Sequence, residues 1–284
     1  MQFSEELFLQ NLSHWLNEDI GAGDFSSLAS IDNTAIGHST MLLKANGVIA
    51  GIKIAQLVLN HVDPNIIFKP FVKDGEYCES GRVLAEASGS IQSLLKAERL
   101  MLNLVQHLSG IATQTKMFVD EVKGTNCKIL DTRKTTPGLR DLEKWAVFIG
   151  GGENHRMGLY DMIMLKDNHV DSAGGITSAV NKTRDFLQAN NQDLKIEVET
   201  RNMSEVREAL ELKVDRIMLD NFTPEGCKVA CALINNEVET EASGGINIHN
   251  VKEYALSGVN YISVGALTHS VNALDISFKT KLRA

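Results

Sequence analysis

The sequence predicts an α/β protein whose main part is a parallel barrel, closed or nearly closed. After residue 125, six runs of β-type composition alternate with helical patterns at a spacing of about 20 to 35 residues, which is typical of parallel βαβ units. No Gly-x-Gly-x-x-Gly motif follows the first run, which counts against a doubly wound dinucleotide-binding sheet. Polar residues end these runs, where such barrels carry their active sites.

The length and composition suit one large domain, or a barrel with a smaller appended domain. The chain has 284 residues, 43% of them hydrophobic, which is enough to fill a sizeable core. Lys and Arg total 28 and Asp and Glu total 36, so the net charge is −8. A surface of this sign repels a polyphosphate backbone, so we exclude general nucleic-acid binding. The net negative charge does not exclude a small anionic ligand, provided that the basic residues are gathered in one place.

Neither a membrane span nor a secretory signal is expected. Polar residues interrupt every apolar run before the roughly 20 residues that a membrane helix needs. The N-terminal segment MQFSEELFLQNLSHWLNED is acidic and amphipathic, unlike a signal peptide.

The four cysteines are scattered and lack the second Cys or His pair of a zinc site; they are Cys78, Cys127, Cys227 and Cys231. We therefore expect idle thiols in a cytoplasmic protein.

Up to about residue 110 the predicted elements are mixed. The pattern predicts a helix over residues 5–15, a helix starting near Gly51, and a turn at residues 73–75. Strands are predicted around residues 39–44, 66–72 and 82–87. A long helical pattern covers residues 93–122, with Gly110 as a candidate break.

The regular part follows. The six β-type runs begin near Cys127, Met162, Lys195, Arg216, Val238 and Tyr261. The helical patterns between them cover residues 141–149, 176–189, 204–212, 224–235 and 248–257. In a parallel barrel the carboxyl ends of all strands meet at one mouth. The polar groups at those ends should therefore meet as well; they are Thr132-Arg133-Lys134, Lys166-Asp167-Asn168, Glu199, Asp220-Asn221, Ser243-Gly244-Gly245 and Val264-Gly265-Ala266.

Cations concentrate in the first half of this region. The group within about 37 residues consists of Arg133, Lys134, Arg140, Arg156, Lys166, His155 and His169. Guanidinium groups bind carboxylate and phosphate oxygens in pairs, so the group suits a ligand with several anionic groups. A structural ion pair at Lys166 and a solvated loop at Arg133 and Lys134 remain alternatives. The glycines at 150–152 would let His155 and Arg156 enter the pocket, although His155 could equally be a buried core histidine.

Two further features complete the candidate site. Glu199 and Asp220 end consecutive strands about 4.8 Å apart, so they could share Mg²⁺, bind sugar hydroxyls, or simply neutralise the cations. Glu197 should point to the same side as Glu199. The glycine-containing ends of the last two strands could bring backbone N–H groups to a phosphate, although tight turns also need glycine.

These residues together resemble the quinolinate phosphoribosyltransferase family, and the resemblance runs along nearly the whole chain. The segments that carry it are EDIGAGD (18–24), ERLMLNLVQHLSGIAT (98–113), DTRKTTPGLRDLEKWAVFIGGGENHRMGL (131–159), LKDNH (165–169), Glu199, LDN (219–221), SGGI (243–246) and VGAL (264–267). The common phosphoribosyl-diphosphate fingerprint is absent, as it is in this family.

The resemblance implies an N-terminal α/β sandwich domain over residues 1–110, joined by the C-terminal tail at about 270–284. It implies an incomplete α/β barrel of about seven strands over residues 111–269. It also implies a homodimer or larger assembly with shared active sites, in which Arg99 enters the neighbouring subunit's site.

The resemblance further implies the reaction and the residues that serve it. Quinolinate and 5-phosphoribosyl 1-diphosphate (PRPP) would give nicotinate mononucleotide, diphosphate and CO₂ in de novo NAD biosynthesis. The residues around the substrate carboxylates and phosphates would be Arg99, Thr132, Arg133, Lys134, His155, Arg156 and Lys166. Glu199 and Asp220 would serve the ribose hydroxyls and Mg²⁺, directly or indirectly. The 5′-phosphate would lie on Ser243, Gly244, Gly245, Val264, Gly265 and Ala266. Lys134, Lys166, Glu199 and Asp220 would be catalytic.

Three alternatives stay open. The chain could be another enzyme of the same family, either the paralogue associated with molybdenum transport or one that acts on a different pyridine acid. A barrel aldolase could use Lys166 as a Schiff-base amine. A protein without enzymatic activity could sense a phosphorylated metabolite.

Overall fold

The computed structural model describes residues 2–282, and its elements alternate along most of the chain. The helices are α1 (Glu5–Ile20), α2 (Phe25–Ser30), α3 (Ile52–Val62), α4 (Ile91–Glu121), α5 (Arg140–Ile149), α6 (Asp167–Ala173), α7 (Ile176–Ala189), α8 (Met203–Glu211), α9 (Pro224–Ile234), α10 (Val251–Leu256) and α11 (Ala266–His269). The strands are β1 (Ile36–Leu43), β2 (Gly47–Val48), β3 (Ile67–Pro70), β4 (Tyr77–Cys78), β5 (Val83–Ser90), β6 (Lys128–Leu130), β7 (Ile163–Leu165), β8 (Ile196–Thr200), β9 (Arg216–Asp220), β10 (Glu239–Ser243), β11 (Tyr261–Ser263) and β12 (Ile276–Leu282).

The chain forms two compact units. The first comprises the described residues up to Lys116, then Asp141–Gly151, and those from Ser270 onward. The second comprises Met117–Arg140 and Gly152–His269. The predicted boundary between residues 110 and 111 stays a prediction.

The first unit contains an antiparallel sheet in the order β12-β1-β5-β3, and β2 pairs with β4. Buried and exposed side chains alternate along the first half of β1, as expected for a strand with one face on the core. The C-terminal strand β12 pairs antiparallel with β1, from Leu43 opposite Ile276 to Gly37 opposite Leu282.

The candidate break in the long helix is wrong, because α4 runs without interruption through Gly110. A Cβ at Gly110 would lie 2.3 Å from the carbonyl oxygen of Asn272. Glycine is therefore needed at this position for close packing against the backbone of the C-terminal segment, and its low helix propensity does not end the helix.

The second unit is built on a parallel sheet in the order β6-β11-β10-β9-β8-β7. A single parallel bridge joins Glu153 to Leu130 on the free side of β6. The six named strands and this bridge agree with the predicted number of about seven strands.

Contacts across the sheet show that it curls into a barrel. His155 lies two residues beyond the bridge at β6, and its Nε2 is 3.1 Å from Glu197 Oε2 on β8. In a flat sheet the four steps from β6 to β8 would separate these strands by about 19 Å. The prediction of an incomplete α/β barrel is confirmed, since only a curled sheet brings these side chains together.

Within residues 2–282, no helix has both the length and the apolar composition required to cross a bilayer.

All four cysteines carry free thiols. Burial raises the pKa of Cys127 and of Cys227 to about 12. Both side chains therefore stay protonated at neutral pH and are weak nucleophiles.

Candidate active site

A cavity of about 910 Å³ lies at the carboxyl ends of the barrel strands, entirely within the second unit. The predicted residues that line it are Thr132, Arg133, Lys134, His155, Arg156, Lys166, Asp167, Glu199, Asp220, Asn221, Ser243, Gly244, Gly245, Gly265 and Ala266. The polar residues from the ends of separate strands thus face one space, as the barrel geometry predicts.

Two residues predicted to bind substrate are not among those that line the cavity. Val264 is only 1% exposed, and its backbone N–H donates to the carbonyl of Leu130 at 3.0 Å. That N–H is therefore not available to a phosphate, and the predicted contact of Val264 with substrate stays a prediction. Arg99 lies on α4 in the first unit with an exposed side chain. Its place in a neighbouring subunit stays a prediction.

Arg133 and Arg156 form a strongly positive part of the cavity wall. The Nε atom of Arg133 is buried and has no hydrogen-bond partner among the described residues. Burial, followed by the charge of Arg133, lowers the pKa of Arg156. Two partly desolvated guanidinium groups that repel each other create a strong preference for an anionic ligand.

Two other residues of the predicted group, Arg140 and His169, make contacts within the chain. Arg140 Nε donates to Thr135 Oγ1 at 3.1 Å, and Arg140 Nη1 donates to the carbonyl of Met157 at 3.1 Å. His169 Nδ1 accepts from the backbone N–H of Lys166 at 3.0 Å. These contacts fix the loops that carry the cavity residues.

The opposite wall carries the paired carboxylates of Glu199 on β8 and Asp220 on β9. Lys166 Nζ lies 3.2 Å from Glu199 Oε2. Burial, then the negative charge of Glu199, raises the pKa of Asp220. Asn221 Nδ2 donates to Asp220 Oδ2 at 2.6 Å. Two carboxylates that repel each other suit Mg²⁺, which binds through one or two carboxylates together with substrate phosphates.

Two glycine-containing loops close the cavity. Gly244 and Gly245 have φ values of +100° and +65°, which favour glycine. A Cβ at Gly265 would lie 3.0 Å from Lys134 Cδ and 3.1 Å from the ring of His269. The absence of a side chain at Gly265 therefore leaves room for Lys134, whose carbonyl accepts from Thr268 Oγ1 at 2.8 Å.

Several cavity residues were missed in the sequence; the main ones are Met164, Met218, Glu241, Ser263 and His269. The first four share one feature: each precedes a predicted site residue by two positions. For Met218 and Glu241 that site residue ends the same strand, and for Met164 and Ser263 it lies just beyond the strand end. Because side chains alternate along a strand, such residues face the same side. His269 shows no comparable pattern, since it belongs to the four-residue helix α11.

Comparison with known proteins supports the same reading of the chain. The family model for the quinolinate phosphoribosyl transferase C-terminal domain matches residues 111–279. The model for the N-terminal domain of the same family matches residues 24–109.

Similar curated proteins carry related names. A chloroplastic nicotinate-nucleotide pyrophosphorylase [carboxylating] from Arabidopsis thaliana is 45% identical, over 93% of this chain and 80% of that protein. A probable nicotinate-nucleotide pyrophosphorylase [carboxylating] from Bacillus subtilis is 44% identical, over 95% of this chain and 92% of that protein.

Solved structures agree in fold. The crystal structure of NadC from Streptococcus pyogenes superposes with a TM-score of 0.95 at 36% identity, and 100% of both chains is covered. The nicotinate-nucleotide pyrophosphorylase from Francisella tularensis gives a TM-score of 0.94 at 35% identity, covering 99% of this chain and 98% of that one. Since the two domain models match consecutive parts of the sequence and the relatives align over almost all of it, this chain belongs to the quinolinate phosphoribosyltransferase family.

Proposed function

We propose that this chain transfers the phosphoribosyl group of PRPP to quinolinate with decarboxylation, giving nicotinate mononucleotide, diphosphate and CO₂ in de novo NAD biosynthesis. The observation that carries the proposal is one cavity in which Arg133 and Arg156 accompany Glu199, Asp220 and two glycine-containing loops. The two guanidinium groups can bind the carboxylates of the pyridine dicarboxylate, and the glycine-containing loops can bind the 5′-phosphate. The carboxylates of Glu199 and Asp220 can bind the ribose hydroxyls.

The first chemical step is a substitution at the anomeric carbon. The lone pair of the pyridine nitrogen forms the new C–N bond while the bond to diphosphate breaks and its electrons leave with diphosphate. Positive charge develops on the ribose, and the carboxylates of Glu199 and Asp220 stabilise it. Lys134 and Lys166 lie close to the negative charge of the substrates. No general base is needed, so the residues act by orientation and charge placement.

Decarboxylation follows on the same ring. The bond to the 2-carboxylate breaks, CO₂ leaves, and the electron pair remains on the ring carbon beside the positively charged nitrogen. A proton from solvent then replaces the carboxylate. Glu199 and Asp220 would hold Mg²⁺, which when bound supplies positive charge beside the diphosphate.

The proposed activity is tested by incubating the protein with quinolinate, PRPP and Mg²⁺. We expect nicotinate mononucleotide, diphosphate and CO₂ in equal amounts, and loss of turnover when EDTA removes the metal. Nicotinate, which lacks the 2-carboxylate, serves as the matched substrate control and should react poorly. Diphosphate release with another pyridine acid alone would identify a different substrate. Ligand binding without diphosphate release would favour a sensor, and borohydride trapping of Lys166 with a keto substrate would favour an aldolase.

We also propose a cytoplasmic homodimer or larger homo-oligomer with shared sites. The exposed side chain of Arg99, outside the cavity lining of its own chain, is consistent with a role in a neighbour's cavity. The name of the Bacillus subtilis relative includes no organelle, while the names of some plant relatives place those proteins in chloroplasts or mitochondria.

Shared sites predict complementation between two inactive variants. Arg99→Ala and Lys134→Ala should each be inactive alone. In an equal mixture of dimers that exchange subunits freely, half of the dimers are mixed and each mixed dimer has one intact site. Activity should therefore recover to about a quarter of the wild-type value. Lys134→Ala mixed with Lys166→Ala is the matched control and should recover nothing, because both lysines line the same chain's cavity. Absence of recovery in verified mixed dimers would contradict sharing.

A further inference from the structure

At the bottom of the cavity and in the barrel interior beneath it lies an unusual group of polar side chains, here called the interior cluster: His155, Glu197, Glu241 and Arg216. Glu197 and Glu241 are 0% exposed, and His155 is also buried. Branched apolar residues usually fill this part of an α/β barrel, since a buried carboxylate is costly unless it has partners. The proposed chemistry assigns no role to either carboxylate, so their retention in the core requires another explanation.

The imidazole of His155 is held from several directions. Its Nε2 lies 3.1 Å from Glu197 Oε2 and 3.3 Å from Glu241 Oε2. Its Nδ1 accepts from the backbone N–H of Arg156 at 2.7 Å. The backbone N–H of His155 donates to Oδ1 of the buried Asp131 at 2.9 Å. The ring therefore has a single orientation, fixed by groups from three separate strand regions.

These contacts indicate a proton rather than a metal ion at the centre of the cluster. The group His155, Glu197 and Glu241 has donor atoms within 4.8 Å of one another, a spacing that could suit a metal. However, Nδ1 accepts a hydrogen bond, so the ring proton is on Nε2, facing the carboxylates. A protonated Nε2 has no lone pair for a metal.

The carboxylate of Glu241 is itself fixed from below. Arg216 Nη1 donates to Glu241 Oε2 at 3.1 Å, and Arg216 Nη2 donates to Glu239 Oε2 at 3.2 Å. The guanidinium group stacks on Tyr261, with Cζ 4.0 Å from the ring centroid. The hydroxyl of Tyr261 donates to Glu239 Oε1 at 3.1 Å. A rigid chain of contacts thus leads from the far end of the strands to His155.

The segment that carries His155 also carries a cavity cation. Arg156 lines the cavity, its backbone N–H is bonded to the His155 ring, and its Nη1 donates to the carbonyl of Met162 at 3.1 Å. Movement of the imidazole would therefore displace Arg156. The repulsion between Arg156 and Arg133 would favour such movement if the ring were released.

We propose that Glu241 is a positioning residue, which together with Glu197 fixes the His155 ring and thereby holds Arg156 against the quinolinate carboxylates. The inference rests on the proposed function for its substrate, while the geometry of the ring stands independently. Glu241 does not touch the reacting atoms. It acts by keeping two neighbouring cations in place at the cavity wall before the substrate arrives.

The kinetic test compares Glu241→Gln with Glu239→Gln. Both glutamates bind Arg216, but only Glu241 contacts His155, so the second variant is a matched control. Glu241→Gln should raise the KM for quinolinate by about tenfold or more, with the KM for PRPP changed less than about twofold. The control should change both KM values by less than about twofold, because Arg216 keeps its hydrogen bond to Glu241 when Glu239 is replaced. In a double variant, His155→Gln should remove most of the additional effect of Glu241→Gln. Equal changes in the two glutamate variants, or equal changes in both KM values, would overturn the inference.

A second measurement needs neither turnover nor a folded variant of Glu241. Nitrogen-15 NMR of the wild-type protein labelled at histidine should show one ring with an unprotonated Nδ1 and an Nε2–H that exchanges slowly with water. That signal should be missing in His155→Gln. An Nδ1-protonated ring, or rapid exchange at Nε2, would overturn the inference. If wild-type protein does not convert quinolinate, the proposed function fails, and the NMR result still decides whether the ring is held as described.

Discussion

Lys166→Ala should lower turnover with quinolinate and PRPP by about 100-fold or more. Lys166 follows β7, and its Nζ lies 3.2 Å from Glu199 Oε2 in the cavity wall. Removal of this charge leaves the negative charge of the substrates less balanced during the substitution step. The Lys166 side chain is 47% exposed, and an ion pair at such a position contributes little to folding. The melting temperature should therefore stay within about 3 °C of the wild-type value.

Lys195→Ala is the matched control for this experiment. Lys195 also pairs with a glutamate, Glu239, at 3.7 Å, but it lies next to the amino end of β8, away from the cavity. Steady-state kinetics and thermal unfolding of both variants separate the charge in the cavity from the general effect of losing a surface ion pair. Turnover close to wild type in Lys166→Ala would contradict the role assigned to this lysine.

The barrel was predictable because its long elements carry strong local patterns. Helix α7 covers residues 176–189 as predicted, and four of its residues are buried. Helices α6 and α11 were not predicted, because seven and four residues are too few for a helical period to appear. Only Val170 is buried in α6, so its sequence reads as a polar loop.

The mouth of the barrel was predictable from topology, since polar residues that end parallel strands must meet. The alternation of side chains along a strand would also have predicted most of the residues that were missed. Glu241 precedes Ser243 by two positions, as Glu197 precedes Glu199, and alternation places each pair on one side of its strand. Extending that argument to every strand would have added Met164, Met218 and Ser263 to the candidate site.

Contacts across the barrel could not be predicted from the sequence. The pairing of His155 with Glu197 and Glu241 depends on the curvature of the whole sheet, which no local pattern encodes. The same is true of Gly110, whose role depends on a backbone segment more than 150 residues away. In both cases a distant part of the chain decides what the residue does.

Gly244→Ala should abolish most of the activity, reducing kcat/KM for PRPP by about 100-fold. A Cβ at this position would lie 2.2 Å from Asn221 Oδ1 and 3.0 Å from the backbone nitrogen of Asn221. The side chain could turn away, but the backbone of Asn221 is held by its N–H bond to the carbonyl of Ser243 at 2.8 Å. The loop and Asn221 must therefore move apart. Asp220 would then lose its hydrogen bond from Asn221, so the substitution would disturb the phosphate loop and the carboxylate wall together.

Backbone strain alone cannot account for such a loss of activity. Gly124→Ala is the control that separates backbone strain from the contact with Asn221. Gly124 has a φ of +85°, close to the +100° of Gly244, but a Cβ there would meet nothing within 4 Å. Both substitutions should lower the free energy of unfolding by about 1 kcal/mol through strain, and only Gly244→Ala should lose activity. Full activity in a folded Gly244→Ala protein would show that neither Asn221 nor the loop needs its present position. If Gly124→Ala were equally inactive, the loss would come from destabilisation rather than from contact between the two strand ends at the cavity.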